Sequence, residues 1–167
     1  MLKKIDLLMN FTEEQKAYMQ RAIDLSIKSV KNGGGPFGAV IVKDGKIIAE
    51  ASNRVTLDND PTAHAEVCAI RLACKELNTY DLTGCELYAS CEPCPMCLAS
   101  MYWAHIKNYY YANDKNDADS IGFGDAFIYS EFALPANKRK MPRLQFMRKE
   151  ALVAFEDWKN KTDKKEY

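Results

Sequence analysis

The chain has 167 residues, of which 47% are hydrophobic and 28% charged, and its 23 Lys and Arg balance 23 Asp and Glu. This composition is typical of a soluble globular protein, and we expect residues 1–167 to form one domain. The balanced charge argues against a broad phosphate-binding surface, so no nucleic-acid partner is expected. The run 93–106 is free of charged residues but shorter than the roughly 20 residues of a membrane span, so no membrane partner is expected either.

Six cysteines, at positions 68, 74, 85, 91, 94 and 97, bear on the cellular compartment. The first ten residues contain a basic pair but lack the apolar core and the cleavage site of a secretory signal. The sequence therefore predicts a reducing compartment, the cytoplasm. There, buried thiols or metal ligands are favoured over disulfides.

In chain order, the predicted elements alternate between helix and strand. The patterns predict a helix over 12–31, strands over 37–42 and 46–51, a helix over 61–77, a strand over 86–90, a helix from 93 to 103, a strand over 109–112, a strand over 143–147 and a helix over 150–161. Thr12 with Gln15 is a capping-box pattern, and Asp44-Gly45 is a two-residue hairpin signal. This order predicts an α/β fold in which a mixed five-stranded sheet lies between helices.

Two short motifs carry the chemistry. His64 and Glu66 form an H-x-E pattern, and after 26 intervening residues Pro93, Cys94 and Cys97 form P-C-x-x-C. One imidazole and two thiolates are suitable ligands for Zn²⁺ and leave a fourth tetrahedral position for water. Because an open position is typical of catalytic zinc, we predict one Zn²⁺ per chain, bound by the histidine and the two cysteines.

The predicted helices place these residues around one point. Cys94 and Cys97 are three residues apart at the start of a helix and share a face. His64 and Glu66 fall near the start of another helix, where side chains lean towards the N-terminus. Two helix N-termini are then expected to face the metal. We hypothesise that these helix ends and Glu66 make hydroxide available near neutral pH.

Other interpretations of the cysteines remain open. Cys91 could join the three predicted ligands in a closed structural zinc site. The spacing Cys91-x-x-Cys94-x-x-Cys97 is similar to that of an iron–sulfur ferredoxin, but Met101 stands where a fourth cysteine would be needed. A thioredoxin-like role for the last two cysteines would not explain the H-x-E motif. His105 is interpreted as a histidine at a helix C-terminus, not as a ligand.

The combination of H-x-E with P-C-x-x-C is the signature of zinc-dependent nucleobase deaminases. Beyond the motifs, the chain closely resembles the bacterial guanine deaminases of the cytidine-deaminase-like superfamily. The resemblance covers most of the chain and is carried by residues 60–67, 90–98, 34–42, 127–129 and 164–167. It implies a three-layer α/β/α sandwich, a homodimer, zinc bound by His64, Cys94 and Cys97, and conversion of guanine to xanthine and ammonia. Glu66 would be the proton shuttle.

The resemblance also implies the substrate contacts. Phe37 would stack on the purine, Asn53 and Asp125 would bind its edges by hydrogen bonds, and Tyr167 would help to close the pocket. Each of the first three also has a structural interpretation, as a core, turn or surface residue. The family commonly carries an acidic pair after Gly-Phe, whereas this chain has Gly124-Asp125, so the role is carried onto the aspartate alone.

Rival functions lie in the same superfamily and outside it. A guanosine, cytosine or tRNA adenosine deaminase would share the zinc motifs, although balanced charge disfavours the tRNA enzyme. A structural-zinc module would show no turnover and would need Cys91 as a fourth ligand. The resemblance further implies that the C-terminal segment 150–167 can pack against a partner subunit.

Overall fold

The computed structural model describes residues 11–166, which fall into two compact units that divide between Gly124 and Asp125. The helices and strands are α1 (Glu13–Lys31), β1 (Gly38–Lys43), β2 (Lys46–Ser52), α2 (Val55–Asp58), α3 (Ala65–Glu76), β3 (Cys85–Cys91), α4 (Pro95–Trp103), β4 (Asn108–Asn113), α5 (Lys115–Ser120), α6 (Ala126–Ala133) and α7 (Arg148–Asn160), with a 3-10 turn at Ala136–Lys138. None of the described helices is both long and apolar enough to cross a membrane. That residues 1–167 form one domain stays a prediction.

The first unit is built on a mixed sheet in the strand order β2-β1-β3-β4. Strand β1 runs antiparallel to both β2 and β3, whereas β3 and β4 are parallel. The β1–β2 hairpin turns at Asp44 and Gly45, whose φ angles are 50° and 72°. Positive φ at both central residues is the geometry of the type I′ turn that the Asp-Gly pair predicts. The predicted α/β fold with a mixed sheet is therefore confirmed.

Helices cover both faces of this sheet because the central strand β1 is apolar on both sides. Ala39 and Ile41 of β1 belong to the core cluster that contains α3 residues and Met101 of α4. Val40 and Val42 belong to a second cluster, with Ala22 of α1 and Tyr88 of β3. Successive residues of a strand point to opposite faces, so α1 lies on one side and α3 with α4 on the other.

The predicted fifth strand over 143–147 is wrong: the described residues form four strands, and this stretch has no regular structure. Its apolar side chains are exposed, with Leu144 at 93% and Phe146 at 80%. Alternating apolar residues satisfy the strand pattern locally. A strand also needs a neighbour to pair its backbone N–H and C=O groups, and the sequence does not encode that neighbour in a local pattern.

The helix predicted to begin at Pro61 begins at Ala65 instead. The carboxylate of Asp60 accepts from the backbone N–H and the hydroxyl of Thr62, at 2.8 and 2.7 Å. This local turn competes with helix formation, so the extended residue His64 becomes the N-cap. The helix predicted from Pro93 likewise starts two residues later, at Pro95.

The second unit contains α6, the 3-10 turn and α7. The last helix was predicted over 150–161 and is found at Arg148–Asn160, whereas α6 was not predicted. Between the two helices, the guanidinium of Arg139 donates to the carbonyls of Phe132 and Leu134, at 3.2 and 3.3 Å. These hydrogen bonds stabilise a turn in the segment that follows α6.

Candidate metal and catalytic site

Three side chains converge between the first turns of α3 and α4. His64 Nδ1 lies 3.6 Å from Cys94 Sγ and 3.4 Å from Cys97 Sγ, and the two sulfurs are 3.5 Å apart. A tetrahedral zinc, with Zn–S bonds of about 2.3 Å and a Zn–N bond of about 2.0–2.1 Å, needs ligand separations of roughly 3.6–3.8 Å. The observed separations are equal to or slightly shorter than these values, and the donor atoms are ones that zinc prefers, so this group could hold the ion.

Local sequence places these ligands at the starts of two helices. His64 is the N-cap of α3 and Cys94 the N-cap of α4, both with extended backbone, and neither side chain caps its own helix. Cys97 follows in the first turn of α4, on the same face as Cys94. Pro95 suits the first helical position because it has no N–H to leave unpaired. Each ligand side chain is thus directed by a helix start and is available for a metal.

The two thiols of the site differ in acidity. A hydrogen bond with Cys97, followed by one with His64, lowers the pKa of Cys94 to about 4 against the opposing effect of burial. The same bond to Cys94 and the burial of its own sulfur raise the pKa of Cys97. Cysteine binds zinc as a thiolate, so metal binding and proton release are coupled at this pair.

Glu66 is the second residue of α3, and only 8% of it is exposed. Burial raises the pKa of its carboxyl to about 7, against the opposing effect of a backbone hydrogen bond; the charge of Cys94 raises this pKa further, while the charge of His64 and a hydrogen bond with the Cys97 side chain lower it. Within residues 11–166 the metal-binding group consists of the histidine and the two cysteines, without this carboxyl. A carboxyl of this pKa beside the ligands can both accept and give a proton at neutral pH.

The structure gives no support to a closed zinc site that includes Cys91. That residue is buried, its sulfur lies 3.7 Å from the carbonyl oxygen of Asp114, and it is not in the metal-binding group found among the described residues. His105 follows the C-terminal end of α4 and lies 3.4 Å from Asp81. It is therefore the helix-terminal histidine that the sequence predicts.

Phe37 and Asn53 are adjacent and tightly held. The Asn53 N–H donates to the Phe37 carbonyl at 3.0 Å, and its side-chain Oδ1 accepts from the Val55 N–H at 3.2 Å. Asn53 is 5% exposed. The half-buried Phe37 ring meets Phe123 edge-on, with centroids 5.1 Å apart. Their roles in substrate binding stay predictions, but the fold fixes their relative positions.

One backbone hydrogen bond connects the segment of Asn53 to the segment of the potential ligand His64. The Arg54 N–H donates to the Ala63 carbonyl at 2.9 Å. Arg54 directly follows Asn53, and Ala63 directly precedes His64. The segment with the predicted purine contacts and the segment with the predicted imidazole ligand therefore lie side by side.

The substrate roles of Asp125 and Tyr167 stay predictions. Asp125 is the N-cap residue of α6 and opens the second unit, and Tyr167 lies outside the described residues. Sequence reasoning did not predict the contact of Phe123 with Phe37; the position of Phe123 between two glycines does not by itself indicate such a contact.

Comparison with known proteins agrees with this geometry. The family described as "Cytidine and deoxycytidylate deaminase zinc-binding region" matches residues 12–113, which include all three potential ligands and Glu66. The tRNA-specific adenosine deaminase of Agrobacterium fabrum is 37% identical over 69% of this chain and 76% of its own length.

A guanine deaminase is more similar. The Bacillus subtilis enzyme is 54% identical to this chain over 153 residues, which cover 91% of this chain and 98% of that protein. Its X-ray structure superposes with a TM-score of 0.88 over the same shares of the two chains. With its α/β fold, mixed sheet and His-Cys-Cys group, the chain belongs to the zinc-binding cytidine and deoxycytidylate deaminase family.

Proposed function

We propose that the protein deaminates guanine hydrolytically, giving xanthine and ammonia, with one Zn²⁺ per chain bound by His64, Cys94 and Cys97. The observation that carries this proposal is a three-residue ligand set with a buried, non-ligating Glu66 beside it. The 54% identity to a guanine deaminase over nearly its whole length supports guanine as the substrate.

Bound zinc lowers the pKa of water and so supplies a nucleophile at neutral pH. In the reaction the water oxygen bonds to C2 of guanine, and the bond from C2 to the exocyclic nitrogen breaks. A carboxylate oxygen of Glu66 takes a proton from the water and passes it to ring N3. It then takes the proton of the added hydroxyl as the C2=O bond forms and gives it to the amino nitrogen, which leaves as ammonia. The carboxyl, whose pKa is raised by burial to about 7, suits both directions of transfer.

The proposed substrate contacts divide between a ring and hydrogen-bonding groups. Phe37 stacks on the purine. Because the Oδ1 of Asn53 accepts from a backbone N–H, its Nδ2 is the group that suits the acceptors O6 and N7 of guanine. Asp125 accepts from the N–H donors of the opposite edge, and Tyr167 closes the pocket.

The proposal includes a homodimer in the cytoplasm, in which residues 150–167 pack against the partner subunit. The exposed apolar side chains of α7 support it, since Val153 is 61% and Phe155 73% exposed. A reducing compartment is supported by the six cysteines, all of which lie within the described residues and none of which forms a disulfide.

A tRNA adenosine deaminase is the second candidate, since a relative with that name is 37% identical over 69% of this chain. The balance of 23 basic and 23 acidic residues argues against it, because an RNA stem-loop needs a basic surround.

The test is an ammonia-release assay on guanine, guanosine, adenine, cytosine, cytidine and an adenosine-containing anticodon stem-loop, with zinc measured in the same preparation. We expect release from guanine with one zinc per chain. Turnover of the RNA without turnover of guanine would establish the second candidate. Zinc without turnover of any substrate would indicate a structural module.

A further inference from the structure

Ser90 is a buried hydroxyl near the end of β3, four residues before Cys94. Only 2% of it is exposed, and its Oγ accepts from the Gly38 backbone N–H at 2.9 Å. The two residues are 52 positions apart in the chain. A buried hydroxyl that accepts a backbone amide across this distance in sequence fixes two segments to each other.

This bond lies where β1 and β3 separate. The antiparallel register places Ala39 opposite Ala89, and one step further it brings Gly38 opposite Ser90. At this position the Ser90 side chain accepts a hydrogen bond from the Gly38 amide. From there β1 leads back to Phe37, while β3 continues towards the metal-binding loop. The hydroxyl therefore joins β1 to β3 one position beyond Ala39 and Ala89, the pair at this end of their register.

One peptide group is held from two sides by this arrangement. The Gly38 N–H and the Phe37 C=O belong to the same peptide, and the carbonyl accepts from the Asn53 N–H at 3.0 Å while the amide donates to Ser90. Gly38 also lies so close to α1 that a Cβ there would collide with the Ala22 carbonyl. The peptide is thus confined between the helix, the asparagine and the serine.

We propose that Ser90 is a positioning residue, whose hydroxyl sets the distance between the Phe37–Gly38 peptide and the metal ligands that follow β3. Through that peptide it places the Phe37 ring and Asn53, the purine contacts, relative to Cys94. This inference rests on the proposed function, since it assigns those two residues to substrate binding. Displacement of a positioning group by about 1 Å can cost on the order of 10²-fold in rate.

The test compares Ser90→Val with Ser90→Thr, two variants of the same shape of which only the second keeps a hydroxyl. We expect the valine variant to lose about 10-fold or more in kcat/KM for guanine, with KM rising more than kcat falls. The threonine variant should stay within about 3-fold of the parent. Both should retain one zinc per chain.

Tyr88→Phe is the matched control. It removes another buried hydroxyl from the same strand, one that donates to Glu86 at 2.9 Å on the face covered by α1. A purely structural role for Ser90 predicts equal kinetic losses in Ser90→Val and Tyr88→Phe, and that result would overturn the inference. Equal kcat/KM for the valine and threonine variants would overturn it too.

A second measurement does not depend on guanine turnover. Amide hydrogen exchange in the parent protein should show a Gly38 N–H that exchanges slowly, and exchange in Ser90→Val should be faster at this amide. If the parent releases no ammonia from guanine, the proposed function has failed, and this exchange experiment alone decides the anchoring role. If Ser90→Val does not fold, Ser90→Ala replaces it. If neither folds, a Gly38 amide in the parent that exchanges as fast as the turn amide of Gly45 overturns the inference.

Discussion

The site end of the sheet and the face covered by α1 are built from different kinds of side chain. Of the four polar or charged residues that are buried among the described residues, Asn53, Glu66 and Ser90 lie in segments that lead to or flank the site, and the fourth, Ser29 near the C-terminal end of α1, donates from its Oγ to the Asn53 carbonyl at 3.4 Å. The α1 face is packed with apolar and aromatic groups instead, including Val40 and Tyr88.

Burying a polar group costs free energy unless it is hydrogen-bonded, whereas apolar burial is favourable in itself. The comparison therefore indicates that apolar contacts on the α1 face stabilise the fold. This stabilisation offsets the free-energy cost of burying polar groups at the site end of the sheet. Variants at the two regions should separate activity from stability, and the predictions below test that separation.

The largest effect is expected from removal of a metal ligand. Cys97→Ala leaves one thiol and one imidazole, too few to hold zinc with the affinity of three ligands. We expect the variant to lose most of its zinc and at least about 10³-fold of kcat/KM for guanine, which corresponds to ~4 kcal/mol. Cys74→Ala is the control, because that thiol is outside the metal-binding group and should leave metal content unchanged.

Loss of the buried amide should come next. Asn53→Ala removes the acceptor of the Val55 N–H and the proposed donor to the purine. At roughly 1–3 kcal/mol for each unpaired buried group, kcat/KM should fall by about 10–10² while zinc stays bound. Asn116→Ala, an exposed asparagine in α5, should change neither quantity. Unaltered kinetics in Asn53→Ala would remove this residue from the substrate pocket.

On the α1 face the effect should appear in stability alone. Val40 is fully buried, and Val40→Ala should lower the free energy of unfolding by about 2 kcal/mol, measured by urea denaturation. We expect kcat/KM in the absence of urea to stay within about 2-fold of the parent. A large kinetic loss would show that the two regions are not separable.

The smallest effect is expected from the ion pair that joins α1 to β2. Arg21 donates two hydrogen bonds to Glu50, at 2.8 and 2.6 Å, and this interaction lowers the pKa of the Glu50 carboxyl. Its stabilisation is therefore present above the ordinary carboxyl pKa and lost as the pH falls through the lowered value. Because the pair is partly exposed, Glu50→Gln should cost only about 0.5 kcal/mol at pH 7.

The contribution of this ion pair is the difference in the free energy of unfolding between the parent and Glu50→Gln, measured at pH 7 and at pH 3. We expect this difference to be smaller at pH 3. A larger difference at pH 3 would contradict the assignment. Glu13→Gln, at an exposed pair with Lys16 within α1, should have no measurable effect at pH 7.

The contrast between the regions also explains what the sequence could predict. The ligand cluster was predictable because each ligand is placed by a local helix start, so short motifs at Cys94 and Cys97 contain most of the geometry. The hairpin at Asp44-Gly45 was predictable for the same reason. The contact of Ser90 with Gly38 was not, because it joins segments 52 residues apart and no local pattern records it.

The errors have similar physical causes. The helix start was placed four residues early because the Asp60 side chain forms its own turn with Thr62. Residues 143–147 alternate like a strand but lack the neighbour that a strand requires. The segment Ala126–Ala133 is rich in aromatic and apolar residues and forms a helix, α6, that its local pattern did not indicate.

The central claim is that Glu66 moves protons without binding the metal. The most direct test is kcat for guanine in Glu66→Gln, with zinc measured in the same sample. The amide keeps the size of the carboxyl but cannot accept a proton, so we expect one zinc per chain and a kcat at least about 10²-fold below the parent. Full activity with zinc bound, or a loss of zinc as large as that in Cys97→Ala, would contradict the claim.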